Sequence, residues 1–488
     1  MGIGRTALSI VLAGSLTACG GGGSNGGGGS APVGGTPTPT PTSSTSNCSL
    51  SARQDFARAV LDEWYLFPEL LATNVNKGSY STVQDYIDAL VAPARAESKD
   101  RFFTYITSIA EENAFFNSGS SAGFGVRLGY DTGANRVFVI EGFEGGPGLP
   151  QGLDRGVELL AVGTSASSLQ SVPGLMASGG PQAVINALGP SDVGVQRVFR
   201  IREVDGTEQQ ITVTKAEFDL DPVSNRYGAK IIDDGGKKVG YINLRTFIGT
   251  AEPDLRAAFD GLRQQGVTEV IVDFRYNGGG LVSIAELMGD LMGRGYVGQV
   301  FSRTTLRASK ASENETDLFG TQAQAIAATK IAFIGASGTA SASELVTNAF
   351  IPYLDTDMAL VGTNTFGKPV GQFAFDREAC DDRLRAVTFK TENADGDGEY
   401  FTGLASVVPV TCRADDDIFT QLGDPNEASV AQALAFLRGG ASVCSAISGR
   451  GGATAAVPDP SARTITSRRD VLQPRMPTPA QREVPGLF

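Results

Sequence analysis

The chain contains no histidine at any of its 488 positions. That absence removes the Ser-His-Asp triad, the Cys-His dyad and the histidine-based zinc motifs together. Any general base must be a lysine, a carboxylate, a tyrosine or an amino terminus. Cysteine is scarce, at five, and no pair is spaced C-x-x-C, so a zinc ribbon or thiol redox motif is not expected. Positive charge is also short: 40 Lys and Arg face 53 Asp and Glu, a net charge of −13. Phosphate binding needs clustered Lys and Arg, so no nucleic-acid partner is expected. What is present suffices for two or three domains with a sizeable core, since 41% of residues are hydrophobic and 19% charged.

The first residues read as an export signal. Arg5 supplies positive charge, and Ala7 to Leu16 form an apolar run too short to span a bilayer. The run ends in Leu16-Thr17-Ala18-Cys19, which resembles the lipobox of bacterial lipoproteins. The resemblance implies a signal peptide over 1–18 and lipidation of Cys19. Gly20 follows in place of Asp, which by the same resemblance implies the outer membrane, facing the periplasm. Cys48, Cys380, Cys412 and Cys444 remain, and an even number in an exported chain points to disulfides. Three pairings are possible; Cys380–Cys412 with Cys48–Cys444 is the expected one.

Residues 19–47 are Gly-rich, then Pro/Thr-rich, and read as a flexible spacer. Over 48–117, apolar residues recur at helical spacing (Ala57, Val60, Leu61, Trp64; then Val83, Tyr86, Ile87, Leu90). Arg101 to Ile109 reads as a third helix, so this stretch is a small helical module. Over 118–215, short strand-like runs such as Val137 to Ile140 and Val198 to Ile201 alternate with Gly and Pro, giving a compact β-rich module. Over 216–447, strands and helices alternate, which argues an α/β layer with parallel strands. Residues 448–488 are polar and Pro-rich and read as largely disordered.

Three short motifs could carry chemistry. Gly338-Thr339-Ala340-Ser341-Ala342-Ser343-Glu344 follows a strand and opens a helix, where the helix N-terminus favours developing negative charge. Glu344 lies three residues after Ser341, on the same helical face. Thr363 to Lys368 also follows a strand-like run. A lysine held there can be desolvated, and the neutral amine can take a proton from a serine. Gln372, four residues on, could hydrogen-bond that amine. Asp273-Phe274-Arg275-Tyr276-Asn277-Gly278-Gly279-Gly280 is a glycine turn after a strand, with amides able to stabilise an oxyanion or bind phosphate. Singly, these read as a helix cap and two turns. Asn393 to Glu399 resembles part of a calcium loop but lacks its spacing, and reads as a surface turn.

Taken together and in this order, the motifs resemble those of the C-terminal processing peptidases, or tail-specific proteases, over roughly Cys48 to Leu437. The resemblance implies an α/β catalytic core of ClpP/crotonase-like type with an inserted PDZ-like β-rich domain and an N-terminal helical module. It implies Ser341 as nucleophile, Lys368 as general base, and Gln372 and Glu344 beside them. It implies an oxyanion hole from the amide of Ala342 and that of Gly278 or Gly279. Gly123-Phe124-Gly125-Val126 resembles the PDZ loop that holds a peptide's C-terminus, although Gly146-Pro147-Gly148 and Gly156-Val157-Glu158 depart from the family pattern nearby. The expected function is a lipid-anchored serine endopeptidase acting on unstructured or C-terminally presented polypeptides, without metal or cofactor. The alternative is an inactive peptide-binding lipoprotein scaffold of the same fold.

Overall fold

The computed structural model describes residues 47–448 and 469–488. The signal segment, Cys19 and nearly all of the 19–47 spacer lie outside the described residues, as does 449–468.

The strands that carry the three motifs belong to one sheet. Its order is Ala229–Asp234, Lys237–Asn243, Glu269–Asp273, Lys330–Gly335, Met358–Gly362, Thr411–Arg413. The first pair is antiparallel and all later neighbours are parallel. Parallel strands need crossovers, and helices Ala251–Gln264, Val282–Met292 and Ala342–Ala349 supply them. Side chains alternate between the two faces. Val270 and Val272 enter one apolar cluster with Phe259, Phe333 and Leu360. Ile271, between them, enters the other with Ile334, Val361 and, from helix Ala428–Gly439, Val430, Leu434 and Leu437. Burial on both faces explains why these strands read as continuous hydrophobic runs.

A second sheet joins the front of the chain to residues far downstream. Tyr105–Ser108 pairs antiparallel with Asp382–Glu392, which also pairs Val370–Arg377 and Val300–Leu306. Residues 101–109 are therefore not the expected helix. The 105–108 stretch is a strand, and the helix starts only at Ile109, capped by Ser108. Tertiary pairing overrode the local pattern, because Tyr105 to Ser108 find hydrogen-bonding partners at Arg385 to Asp382. Helices Leu50–Trp64 and Val83–Leu90 share a core with this sheet, where Ala57, Leu61, Tyr65 and Ile87 meet Val370, Leu384 and Val387.

The disulfides are Cys48–Cys380 and Cys412–Cys444, not Cys380–Cys412 and Cys48–Cys444. Cys412 lies midway between Cys380 and Cys444 in the chain, so spacing alone could not choose. The fold decides: Cys48 precedes helix Leu50–Trp64, which docks on the second sheet beside Cys380, while Cys412 sits on the edge strand of the first sheet.

The third sheet is built from Val126–Asp131, Arg136–Gly142, Glu158–Gly163, Gln196–Arg202 and Glu208–Thr214, with Gln170–Ser171 at one side. Its core holds Phe124, Val126, Leu128, Val139, Leu159, Phe199 and Ile201, closed by Val172 and Leu188 of helix Val172–Leu188. Two further members of that core, Leu472 and Phe488, come from the end of the sequence. Within the stretch expected to be disordered, residues 469–488 are thus built into the molecule. Arg469–Val471 pairs with Val126–Asp131, and Pro479–Glu483 is a short helix with Thr478 as its cap. The composition there is polar and Pro-rich, but five apolar side chains (Leu472, Ala480, Val484, Leu487, Phe488) are buried.

Candidate active site

The three motifs converge at the carboxyl ends of adjacent parallel strands, where open α/β sheets form their sites. Asp273 pairs with Ile334, and Gly335 with Gly362, so the turns that follow start side by side. Hydrogen bonds then tie the first two turns together. Ala340 N donates to Asn277 O at 3.0 Å, Thr339 Oγ1 to Phe274 O at 2.8 Å, and Ser343 Oγ to Asn277 O at 3.2 Å.

Ser341 is the residue before helix Ala342–Ala349 and adopts φ 56°, ψ −115°. A side chain rarely tolerates this left-handed conformation, which costs about 1–3 kcal/mol and persists only where the surroundings enforce it. Gly279 makes the approach possible. Its φ is +117°, and a Cβ there would lie 2.7 Å from Ser341 Cβ and 3.1 Å from Ala342 N. The Gly279 amide donates to Asn277 Oδ1 at 2.9 Å, while the Gly278 amide donates to Glu483 O at 2.9 Å.

Glu344 is fully buried and joins the serine turn to the lysine loop. One carboxylate oxygen accepts from Ser341 N at 3.1 Å and Lys368 N at 2.7 Å; the other accepts from Thr365 Oγ1 at 2.6 Å and Gly367 N at 2.7 Å. Burial raises its pKa, and these four donors oppose the rise. The carboxylate thereby fixes the two backbones relative to each other.

Ser341 and Lys368 line one small cavity with Ala342, Leu345, Val370, Gly371 and Phe389. It holds about 20 Å³, room for roughly one water molecule. Lys368 Nζ donates to Gln372 Oε1 at 2.8 Å, and Gln372 Nε2 donates in turn to Phe103 O. Desolvation lowers the pKa of Lys368; Glu483 and Asp100 raise it, and Arg482 and Arg385 lower it. Its ammonium also lies 5.1 Å from the Phe103 ring. Arg101 clasps the same loop, donating to Phe366 O at 2.5 Å and Gly367 O at 2.6 Å. Arg101 and Phe103 carry no sequence signal, because their partners stand more than 260 positions away.

The glycine turn is braced from behind. Arg275 donates to Asp273 at 2.7 Å and to Glu427 at 2.8 Å, all three buried. Arg155, from the third sheet's module, reaches Asp416 at 2.9 Å, and Tyr276 donates to the same carboxylate. Asp416, Glu427 and Arg155 are further residues that local motifs could not reveal.

Gly123, Phe124, Gly125 and Val126 lie at the entry to strand Val126–Asp131, next to Phe488. A Cβ at Gly123 would fall 2.6 Å from the Phe488 carbonyl carbon, so only glycine allows that approach. Val126 N donates to Phe488 O at 3.2 Å, and Phe488 N to Val126 O at 2.9 Å.

Residues 238–403 match the model of Peptidase family S41, and this span contains Asp273, Ser341, Lys368 and Gln372. The chloroplastic C-terminal processing peptidase of Tetradesmus obliquus is 30% identical over 274 residues, covering 53% of this chain and 54% of that protein. The carboxyl-terminal-processing protease of a Synechocystis strain is 26% identical over 268 residues, covering 53% of this chain and 56% of that one. The chain thus spans about half the length of the curated relatives it matches. A solved Bacteroides fragilis structure assigned to the S41 proteases superposes with a TM-score of 0.60 at 21% identity, covering 79% of this chain and 97% of that one. The chain has the S41 peptidase fold, and its residues 238–403 match the peptidase family S41 model.

Proposed function

We propose that this chain, through its peptidase family S41 domain, is a serine endopeptidase that cleaves polypeptides with Ser341 as nucleophile and Lys368 as general base. The carrying observation is the Glu344 carboxylate, which holds the backbones of Ser341 and Lys368 together beside a desolvated lysine. A neutral Lys368 takes the Ser341 proton as Oγ attacks the scissile carbonyl. The amide of Ala342 and one from the Gly278-Gly279 pair stabilise the oxyanion, and Asn277 must release the Gly279 amide if that is the donor. The amine leaves with the proton held by Lys368, and water then hydrolyses the acyl-enzyme.

The third sheet reads as the PDZ-like domain and the α/β layer as the ClpP/crotonase-like core. A groove on strand Val126–Asp131 would take a substrate end as an added strand. The relatives' names, C-terminal processing peptidases, fit substrates presented by their C-termini. Export and a lipid anchor at Cys19, in the outer membrane, belong to the same reading. Two disulfides suit an oxidising compartment.

The test is digestion of reduced, unfolded casein by wild type, Ser341→Ala and Lys368→Ala. Wild type should cleave and both variants should lose activity by at least about 1,000-fold. Cleavage that survives in Ser341→Ala would displace the nucleophile; no cleavage in any form, with residues 469–488 removed, would leave a binding scaffold.

A further inference from the structure

The groove and the catalytic turn are both occupied by the same stretch of this chain. Leu472 N donates to Leu128 O and Leu128 N to Gly486 O, each at 2.8 Å, and Leu487 pairs antiparallel with Arg127. Phe488 is buried among Phe124, Val126, Leu128 and Leu188. This is peptide capture by strand addition, with backbone hydrogen bonds along the strand and an apolar pocket for one side chain. Upstream, Gln473 Nε2 and Gln481 Nε2 donate to Gln481 O and Leu487 O, folding the segment back on itself.

Helix Pro479–Glu483 then lies against the glycine turn and Tyr105. Glu483 O occupies the Gly278 amide at 2.9 Å, and a Cβ at Gly278 would lie 2.6 Å from Arg482 O. The Glu483 carboxyl faces Lys368 closely enough for each to pull the other toward its charged form. Arg482 stacks 3.6 Å over the Tyr105 ring. The segment does not line the small cavity between Ser341 and Lys368; it takes the neighbouring Gly278 amide, which an incoming scissile carbonyl would approach.

The docked state also carries a penalty. Arg482 is half-buried, with its Nε atom buried and lacking a hydrogen-bond partner, and desolvation lowers its pKa. An unsatisfied buried donor disfavours the arrangement that contains it.

We infer that residues 469–488 are an intramolecular competitor of substrate: they fill the peptide groove with Gly486-Leu487-Phe488 and occupy the glycine turn beside Ser341 with Arg482-Glu483, and they must undock before a polypeptide is cleaved. The groove accordingly selects extended peptides with a large apolar residue at the Phe488 position. The consequence for catalysis rests on the peptidase reading above; the contacts do not. A tethered segment acts at an effective concentration on the order of 1 mM. If the free segment binds with a dissociation constant of order 0.1 mM, about one molecule in ten is open.

The test uses the full chain with a site-specific protease recognition sequence placed within 449–468. The folded protein is cut and the released segment removed. Casein hydrolysis should then rise about tenfold, and millimolar synthetic peptide 469–488 should restore the slow rate. A fluorescein-labelled copy of that peptide should bind the cut Ser341→Ala protein about tenfold more tightly than the intact one. Discrimination in binding with no casein hydrolysis in any form would keep this inference and sink the peptidase reading. The combined Leu487→Asp and Phe488→Asp variant, checked for cooperative thermal unfolding, covers the case in which the cut protein does not stay folded. Casein rates unchanged in the folded forms, or labelled peptide binding intact and cut protein alike, would overturn the inference and leave the peptidase reading standing.

Discussion

In the proposed mechanism Lys368 has to be neutral to accept a proton, so its environment would set the useful pH range. Desolvation moves its pKa below the ordinary lysine value. The neutral fraction grows as pH rises through that lowered value, so kcat/KM should climb with pH and level off earlier than an ordinary lysine would allow. Initial-rate profiles on an unfolded substrate check this; a flat profile would remove Lys368 as the base. That Ser341, Glu344, Lys368 and Gln372 come together was legible in the sequence because each sits in a short motif. Ser341 and Glu344 share one helix start, and Lys368 and Gln372 are four apart. The strain at Ser341 and the clasp by Arg101 were not legible. Backbone strain has no residue-type signature at a serine, and Arg101 meets the loop only after the second sheet assembles.

The glycine turn, the serine turn and the lysine loop work because the sheet register delivers them side by side. Alternation of strands and helices over 216–447 was enough to expect that arrangement, since parallel strands buried on both faces are near-continuous apolar runs. Residues 101–109 were misread because a half-buried edge strand of four residues is too short to show a period. The disulfides failed for a related reason: position in the chain is silent about which elements become neighbours. Gly279 gives the sharpest test at this scale. Gly279→Ala would place a methyl group 2.7 Å from Ser341 Cβ in a backbone conformation alanine resists. Casein cleavage should fall by roughly 100-fold or more while the melting temperature drops by only a few degrees, since about 1–3 kcal/mol of strain is added. An unchanged rate would mean that Ser341 does not react in this geometry.

The largest gap between sequence and structure is the way distant parts are held together by buried charge. Arg127 and Arg245 flank Glu141, at 3.0 Å and 2.6 Å, which ties strands Val126–Asp131 and Arg136–Gly142 to the α/β layer. Nothing local marks these residues, because an arginine in a strand normally faces solvent. Burial alone would raise the pKa of Glu141, but Arg245 and Arg127 overcome it and hold the value at about 2 against an ordinary 4.5. A carboxyl whose pKa is depressed by folding stabilises the native state above its unfolded pKa and loses that contribution as pH falls toward the folded one. The difference is about 3 kcal/mol, lost progressively below about pH 4.5. Asp416, held at about 2 against an ordinary 3.8 beside Arg155 and Arg275, adds a term of the same sign. Urea unfolding midpoints should therefore fall steeply between about pH 4.5 and 2. Glu141→Gln should be less stable than wild type at neutral pH and show a shallower acid slope, because the titrating group is gone while both arginines stay buried. A slope as steep as wild type would locate the acid lability elsewhere and leave the Arg127–Glu141–Arg245 bridge as packing without a titration role.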